Sequence, residues 1–319
     1  MEIGSFLPLA FASGNEYYRG TAGVARLNTG RAAIWHAFRV TGCAALWLPY
    51  YQCDTVRAFL ERKGCTLRYY HIDERFEPVD LQPAPEDAVL LVNYYGVMSA
   101  RRMQSLAARY AHPIIDNCQA FFAEPFANAL HVYSARKFVG VPDGAYVVGP
   151  GAEQFCAAYP QGYSSDTAGF LLERIEYGCE GKAYAARTVN EERIDSEDAM
   201  RMSALTRTIL DGTDYDAIRA KRRANFDFAV RRFRKINRLD ATAYYGADCV
   251  PMVYPLVVED DSLLDRLLAN KHFQGHWWSY LLDELPQDSF EYYLSRYIIP
   301  VTIDQRYGET EIDFIRSLI

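Results

Sequence analysis

Lys137 and Asp116 are the side chains of this 319-residue chain whose types and placing could do chemistry. Lys137 lies between two apolar runs that read as buried strands, one holding Leu130, Val132 and Tyr133, the other Ala145 to Val148. Pro142, Asp143 and Gly144 form a turn between them. An ammonium hidden without a partner is costly. The pattern therefore predicts a desolvated lysine, whose lowered proton affinity makes it a nucleophile toward carbonyls, including the aldehyde of pyridoxal 5'-phosphate (PLP). Asp116 closes the run Pro113-Ile114-Ile115, twenty-one residues earlier. An acid at the C-terminal end of a buried strand is where open α/β sheets place ligand contacts. A carboxylate there can keep a pyridine nitrogen protonated, so that the ring works as an electron sink. Alone, Asp116 reads as a helix N-cap and Lys137 as a solvated loop charge. Together they supply two of the groups that PLP chemistry requires.

The segments around these two residues resemble the DegT/DnrJ/EryC1/StrS family of PLP-dependent, fold-type-I aminotransferases, which mostly act on nucleotide-linked keto sugars. Ile115-Asp116-Asn117-Cys118-Gln119-Ala120 is similar to that family's E-D-x-x-Q-A segment, and Tyr133-Ser134-Ala135-Arg136-Lys137 to its lysine segment. The likeness runs on through Val141 to Ala145 and extends at low identity over nearly the whole chain. It implies that Lys137 forms a Schiff base with PLP and shuttles the proton, and that Asp116 holds the ring nitrogen. It also implies Gln119 beside the cofactor's phenolic oxygen, and Ser134 on the phosphate with Arg136 adding charge. The family's S-G-T/R-A-A segment, whose amides meet the phosphate, maps onto Thr29, Gly30 and Arg31.

This chain departs from the family's spelling at several places. The ring that stacks on the cofactor falls in strict register on Cys53, which leaves Tyr50 or Tyr51 to substitute; Tyr51 is the candidate carried forward. The family's serine five residues before the lysine is Val132 here. The asparagine that reaches the partner subunit's phosphate is Ala199, with Arg201 or Asn190 as replacements. The activity implied is transfer of an amino group from an amino acid, glutamate by family analogy, to a keto sugar, in a homodimer with shared active sites. The alternative is the same fold with another PLP reaction, or with a binding or regulatory role and no turnover. The family's dehydratase branch carries histidine in place of the lysine, so Lys137 argues against that reaction.

The elements that must position these residues follow from periodicity. Leu27-Asn28-Thr29-Gly30 opens a helix capped by Asn28 or Thr29, and exposed amides at such a start favour a phosphate. Strands are expected over 44–49, 65–71, 88–96 and 113–115, with a helix over 100–110. Strands alternating with helices mean a parallel sheet. Residues 1–26 read as irregular, and 150–200 as polar with no strand pattern. A long basic amphipathic helix begins at Asp211, followed by a strand at 250–258 and a helix at 260–270; the closing segment Ile298 to Gly308, with a short final helix, resembles the family's small-domain terminus. The fold expected is α/β: a large domain (1–205) with a mostly parallel sheet flanked by helices, then an interdomain helix and small α+β domain (206–319).

Composition narrows the class. Half of the residues are hydrophobic, enough for a large core. The net charge of −7 lacks the basic footprint of a nucleic-acid binder. Seven scattered cysteines without CxxC spacing read as reduced thiols of a cytoplasmic protein, not as a disulfide or zinc framework. The N-terminus has no basic segment ahead of its short apolar piece, so no signal peptide is expected, and no apolar run reaches bilayer length. No GxGxxG follows an early strand, which excludes a dinucleotide-binding reading.

Overall fold

The structure, a computed structural model, describes residues 6, 7 and 9–319. The chain runs β1 (Val24–Leu27), α1 (Gly30–Thr41), β2 (Ala45–Pro49), α2 (Asp54–Arg62), β3 (Leu67–Ile72), β4 (Pro78–Val79) and β5 (Asp87–Val92). Then come α3 (Ala100–Ala107), β6 (His112–Asp116), β7 (Leu130–Ser134), β8 (Ala145–Val148), α4 (Gly169–Tyr177), α5 (Gly181–Ser196), α6 (Ala204–Asp211) and α7 (Tyr215–Phe233). The C-terminal part holds β9 (Val253–Val257), α8 (Leu263–Ala269), α9 (Leu281–Glu284), α10 (Phe290–Tyr297), β10 (Ile298–Thr302) and α11 (Glu309–Ser317).

Eight strands form one sheet in the order β1-β8-β7-β6-β5-β2-β3-β4, and β9 pairs with β10 in a separate antiparallel ribbon. The pairs β3/β2, β2/β5, β5/β6 and β6/β7 are parallel; β7/β8, β8/β1 and β3/β4 are antiparallel. The expected mostly parallel sheet is therefore present. Its central strand β5 is buried at every residue. That explains why its sequence reads as a continuous apolar run without alternation. The order reverses beside β2, which has β3 on one side and β5 on the other. Such a switch point opens a crevice at the carboxyl ends of the strands.

One region differs from expectation. Part of 1–26, read as irregular, is β1, a four-residue edge strand too short to show a period; residues 1–5 and 8 of that stretch lie outside the described residues. The polar stretch 150–200 has no strand, as expected, and holds the helices α4 and α5 that the family resemblance implies there, with apolar residues mostly facing outward. The long helix starts at Tyr215, where Asp214 accepts the Ala217 amide at 2.9 Å.

His131, fully buried on β7, is held at Nε2 by the Phe126 loop and at Nδ1 by Asn117, next to Asp116. Burial, partly opposed by the Phe126 carbonyl, pushes its pKa down to about 4. In the unfolded chain it takes a proton below about 6.5. The unfolded state thus binds more protons between these values, and stability falls as pH drops from about 6.5 to 4, by about 3 kcal/mol from this group. His36 and His272, also pushed down chiefly by burial, steepen the same slope. Urea unfolding across this window is expected to show the decline, and His131→Gln to flatten it. An unchanged slope would refute the assignment.

Candidate active site

The candidate residues gather where α1 begins and where β6 and β7 end. Thr29 caps α1, its Oγ1 accepting the Ala32 amide at 3.2 Å. The cap is therefore Thr29 and not Asn28, whose side chain instead bonds the Asp198 carbonyl and the Met200 amide. The Gly30 and Arg31 amides lie in the first turn, where a helix offers them no acceptor. A Cβ on Gly30 would stand 3.0 Å from Cys118 Sγ and 3.9 Å from Ser134 Cβ. A side chain here would press on Cys118, so the glycine lets the helix start pack close against the end of β6.

Asp116 is buried, and each carboxylate oxygen has a donor: the Cys118 amide at 2.9 Å on Oδ1, and Gln52 Nε2 at 3.0 Å on Oδ2. Gln52 lies three residues past the end of β2, so the carboxylate is set from both sides of the switch point. Parallel pairing of β6 with β7 places Val132 opposite Asp116, and Ser134 two residues on, at the same edge. Ser134 is buried there. A single 3₁₀ turn, Ala135–Lys137, then carries the lysine out of the strand. Burial holds the Cys118 thiol well above its usual range; the Asp116 charge raises it further, and Lys137 pulls it down. The turn that follows is anchored by Asp143, which accepts the Ser203 amide at 2.9 Å and its hydroxyl at 2.7 Å.

Several expectations are corrected. Lys137 is exposed, not desolvated: its neighbours on β7 and β8 are buried, but the turn swings its side chain off the sheet. Arg31, expected to act through its amide, keeps that amide at the helix start, while its guanidinium faces α5 and bonds Asp195 at 2.7 Å and the Ile194 carbonyl. Arg136 is likewise committed to Glu191. Neither tyrosine after β2 offers a free face. Tyr51 is fully buried, its hydroxyl 2.9 Å from that of Tyr95 and its ring edge-on to Trp278 at 4.3 Å. Tyr50 stacks on Tyr69 and leans on His71. Asn190 is consumed within the chain, donating to the Pro142 carbonyl at 3.0 Å and accepting from Thr167. Gln119 is buried near the site, but its Oε1 takes the Tyr95 amide at 2.6 Å. Its Nε2 is the part left to meet a ligand.

Gln52, Cys118, Arg222 and Gln305 were not singled out from the sequence. Arg222 Nη2 reaches the Lys137 carbonyl at 3.4 Å, and Gln305 Nε2 the Phe138 carbonyl at 2.8 Å. Two surface hollows of about 500 and 550 Å³ are lined by none of these residues, so cavity size does not mark the site.

These donors fit PLP in kind. A helix start with free amides suits a phosphate, a buried carboxylate suits a ring nitrogen, and an accessible amine suits an aldehyde. The Gln52 bond does not block Asp116, because a carboxylate oxygen has two lone pairs.

No protein-family model matches the sequence, and no curated protein does either. Solved structures do match over most of the chain. The sugar aminotransferase CalS13 from Micromonospora echinospora is 15% identical over 93% of this chain and 86% of its own, with a TM-score of 0.58. NtdA from Bacillus subtilis, with pyridoxamine phosphate (PMP) bound, is 13% identical over 96% and 78%, TM-score 0.61. The E. coli GDP-4-keto-6-deoxy-D-mannose-3-dehydratase, holding hydrated PLP, is 14% identical over 92% and 87%, TM-score 0.61. At such identities the likeness shows the fold.

Proposed function

We propose that this chain is a PLP-dependent aminotransferase that carries the amino group of an amino acid, glutamate, to a keto sugar linked to a nucleotide. The observation that carries the reading is the placing of the buried Asp116 at the end of β6 and of Lys137 in the turn that closes its parallel neighbour β7, with Gly30 at the start of α1 packed on Cys118. The fold it shares with CalS13, NtdA and the E. coli dehydratase supports the substrate class and the cofactor. Lys137, in place of the dehydratase branch's histidine, favours transfer over dehydration. The large domain ends near residue 205, and 206–319 form the interdomain helix and small domain.

When bound, PLP supplies an aldehyde for an amine to join and a ring that accepts the electrons left when a carbon loses its proton. The chain does the rest. The amides of Gly30 and Arg31, with Thr29 and Ser134, hold the phosphate. Asp116 keeps a proton on the ring nitrogen, and the Gln52 and Cys118 donors fix its carboxylate plane. Gln119 Nε2 donates to the phenolic oxygen. Lys137 Nζ would be the base that takes a proton from the carbon bearing the donor's amine and the acid that returns one to the acceptor.

The test is spectroscopic. Protein incubated with PLP should show a visible absorption band, and borohydride should fix the label on Lys137. Glutamate should bleach the band. A band that glutamate leaves untouched would overturn amino transfer and favour a binding role.

The same reading calls for a cytoplasmic homodimer. Among the described residues, no helix is long and apolar enough to cross a membrane. The α4–α5 hairpin turns Leu172, Ile175, Tyr177, Tyr184 and Val189 outward, with Ile175 at 81% exposure. An apolar patch of this kind marks an interaction surface. A second copy seated there would cover the side from which Arg31 and Arg136 reach α5. Light scattering is expected to give a dimer, and Ile175→Asp with Tyr184→Asp a monomer. A wild-type monomer would remove this part of the proposal.

A further inference from the structure

The 3₁₀ turn that carries Lys137 is closed by local bonds only at its start: the Phe138 and Val139 amides both return to the Ala135 carbonyl. The Lys137 and Phe138 carbonyls are bonded by side chains from far along the chain. Arg222 on α7 reaches the Lys137 carbonyl with Nη2, and Gln305, after β10, donates to the Phe138 carbonyl. Gln305 Oε1 in turn accepts Arg222 Nε at 3.0 Å, and the guanidinium lies 4.5 Å from the Phe138 ring centre. Two side chains and two successive carbonyls form a closed loop of bonds around the lysine's own peptide.

The same guanidinium extends to the other half of the site. Its Nη1 donates to the Met252 carbonyl at 2.9 Å. The Met252 amide donates to the Tyr95 carbonyl at 2.8 Å, and the Tyr95 amide to Gln119 Oε1. A continuous series of hydrogen bonds therefore joins the lysine turn to Gln119 through Arg222. Arg222 is only 2% exposed, and among the described residues no carboxylate bonds to it. Asp304, whose charge it feels, is committed to Arg306 at 2.6 Å. Burial pushes the Arg222 pKa down to about 10. A buried cation bonded to carbonyls, an amide and a ring is an expensive brace. Other basic residues of α7, Arg219, Arg231 and Arg232 among them, stay largely in solvent and pair with acids.

We infer that Arg222 and Gln305 are positioning residues for Lys137, fixing the peptide of the lysine turn so that the amine meets a cofactor aldehyde held by Asp116 and α1. The inference rests on the PLP reading of the site. It makes covalent capture of the cofactor depend on residues from the C-terminal part of the chain that touch neither cofactor nor substrate.

Covalent capture joins Lys137 Nζ to the aldehyde carbon with loss of water. PMP has no aldehyde, so it occupies the same ring and phosphate contacts without that bond. The two ligands therefore separate positioning of the lysine from integrity of the site. Gln305→Glu keeps an acceptor for Arg222 Nε but cannot donate to the Phe138 carbonyl. It is expected to weaken PLP binding about tenfold, since small misplacements of a reacting group carry penalties of this order or more. PMP binding should stay within about twofold of wild type, while the unpaired Phe138 carbonyl lowers the urea midpoint. Arg222→Lys keeps the buried charge without the planar fork. It is expected to show the same split between PLP and PMP, and decides the matter should Gln305→Glu not fold. Equal weakening of both ligands, or no change in either, would overturn the inference alone. A wild-type protein that binds neither ligand would overturn the PLP reading and this inference with it.

Discussion

Lys137→Ala is expected to abolish both the visible band and the borohydride label, and to lower amino transfer about 10³-fold or more. Positioned general acid–base groups contribute about 10² to 10⁴, and this variant loses covalent capture as well. What makes the experiment decisive is the exposure of Lys137. A side chain that buries little and, among the described residues, pairs with no acid can be shortened with a stability change within about 0.5 kcal/mol. The urea midpoint should therefore stay put, and PMP should still bind, because Asp116, Gln119 and the α1 amides are untouched. Turnover near the wild-type level would remove Lys137 from the mechanism. Loss of PMP binding along with activity would show that the lysine holds the site together and does not act on the substrate.

How much of this was legible in the sequence depends on how far each residue's role reaches. Asp116 and Lys137 were readable because each sits at the end of a strand whose apolar run is visible locally, and parallel pairing then puts both ends on one edge. The burial of Lys137 was misjudged for the same local reason: buried strands on either side say nothing about which way one 3₁₀ turn faces. Tyr51 was assigned to the cofactor because an aromatic after a strand has the same spelling whether its ring meets a ligand or, as here, packs on Tyr95 and Trp278. The helices α4 and α5 follow from the family resemblance and not from periodicity, because their apolar residues do not line one buried stripe; α5 buries only Ala183, Asn190 and Ile194. Gln52 and Arg222 could not be seen at all. Their partners lie 64 and 85 residues away in sequence, and nothing at either position departs from an ordinary polar or basic surface residue.

Asp116→Asn is the change that tests the other half of the site, and its structural and chemical consequences can be separated. The Cys118 amide points at Oδ1 from a fixed backbone, so the asparagine oxygen must stay on that side. Its NH₂ group then faces Gln52 Nε2, donor against donor. Gln52 can escape by flipping its amide, but Oε1 would leave the Cys53 amide, which it accepts at 3.1 Å. Either way one buried donor goes unpaired, a loss of about 1 to 3 kcal/mol, readable as a lower urea midpoint. Turnover is expected to fall about 10² to 10³-fold, the size found on removing one preorganised electrostatic partner. Adding Gln52→Glu supplies an acceptor for the new NH₂ and keeps one for the Cys53 amide, so the midpoint should recover. Activity should not recover, because the carboxylate now sits one side chain away from the place where the ring nitrogen's proton is held. Restored turnover in the double variant would mean that Asp116 matters only as a structural acceptor, and that the electron sink is charged by some other group.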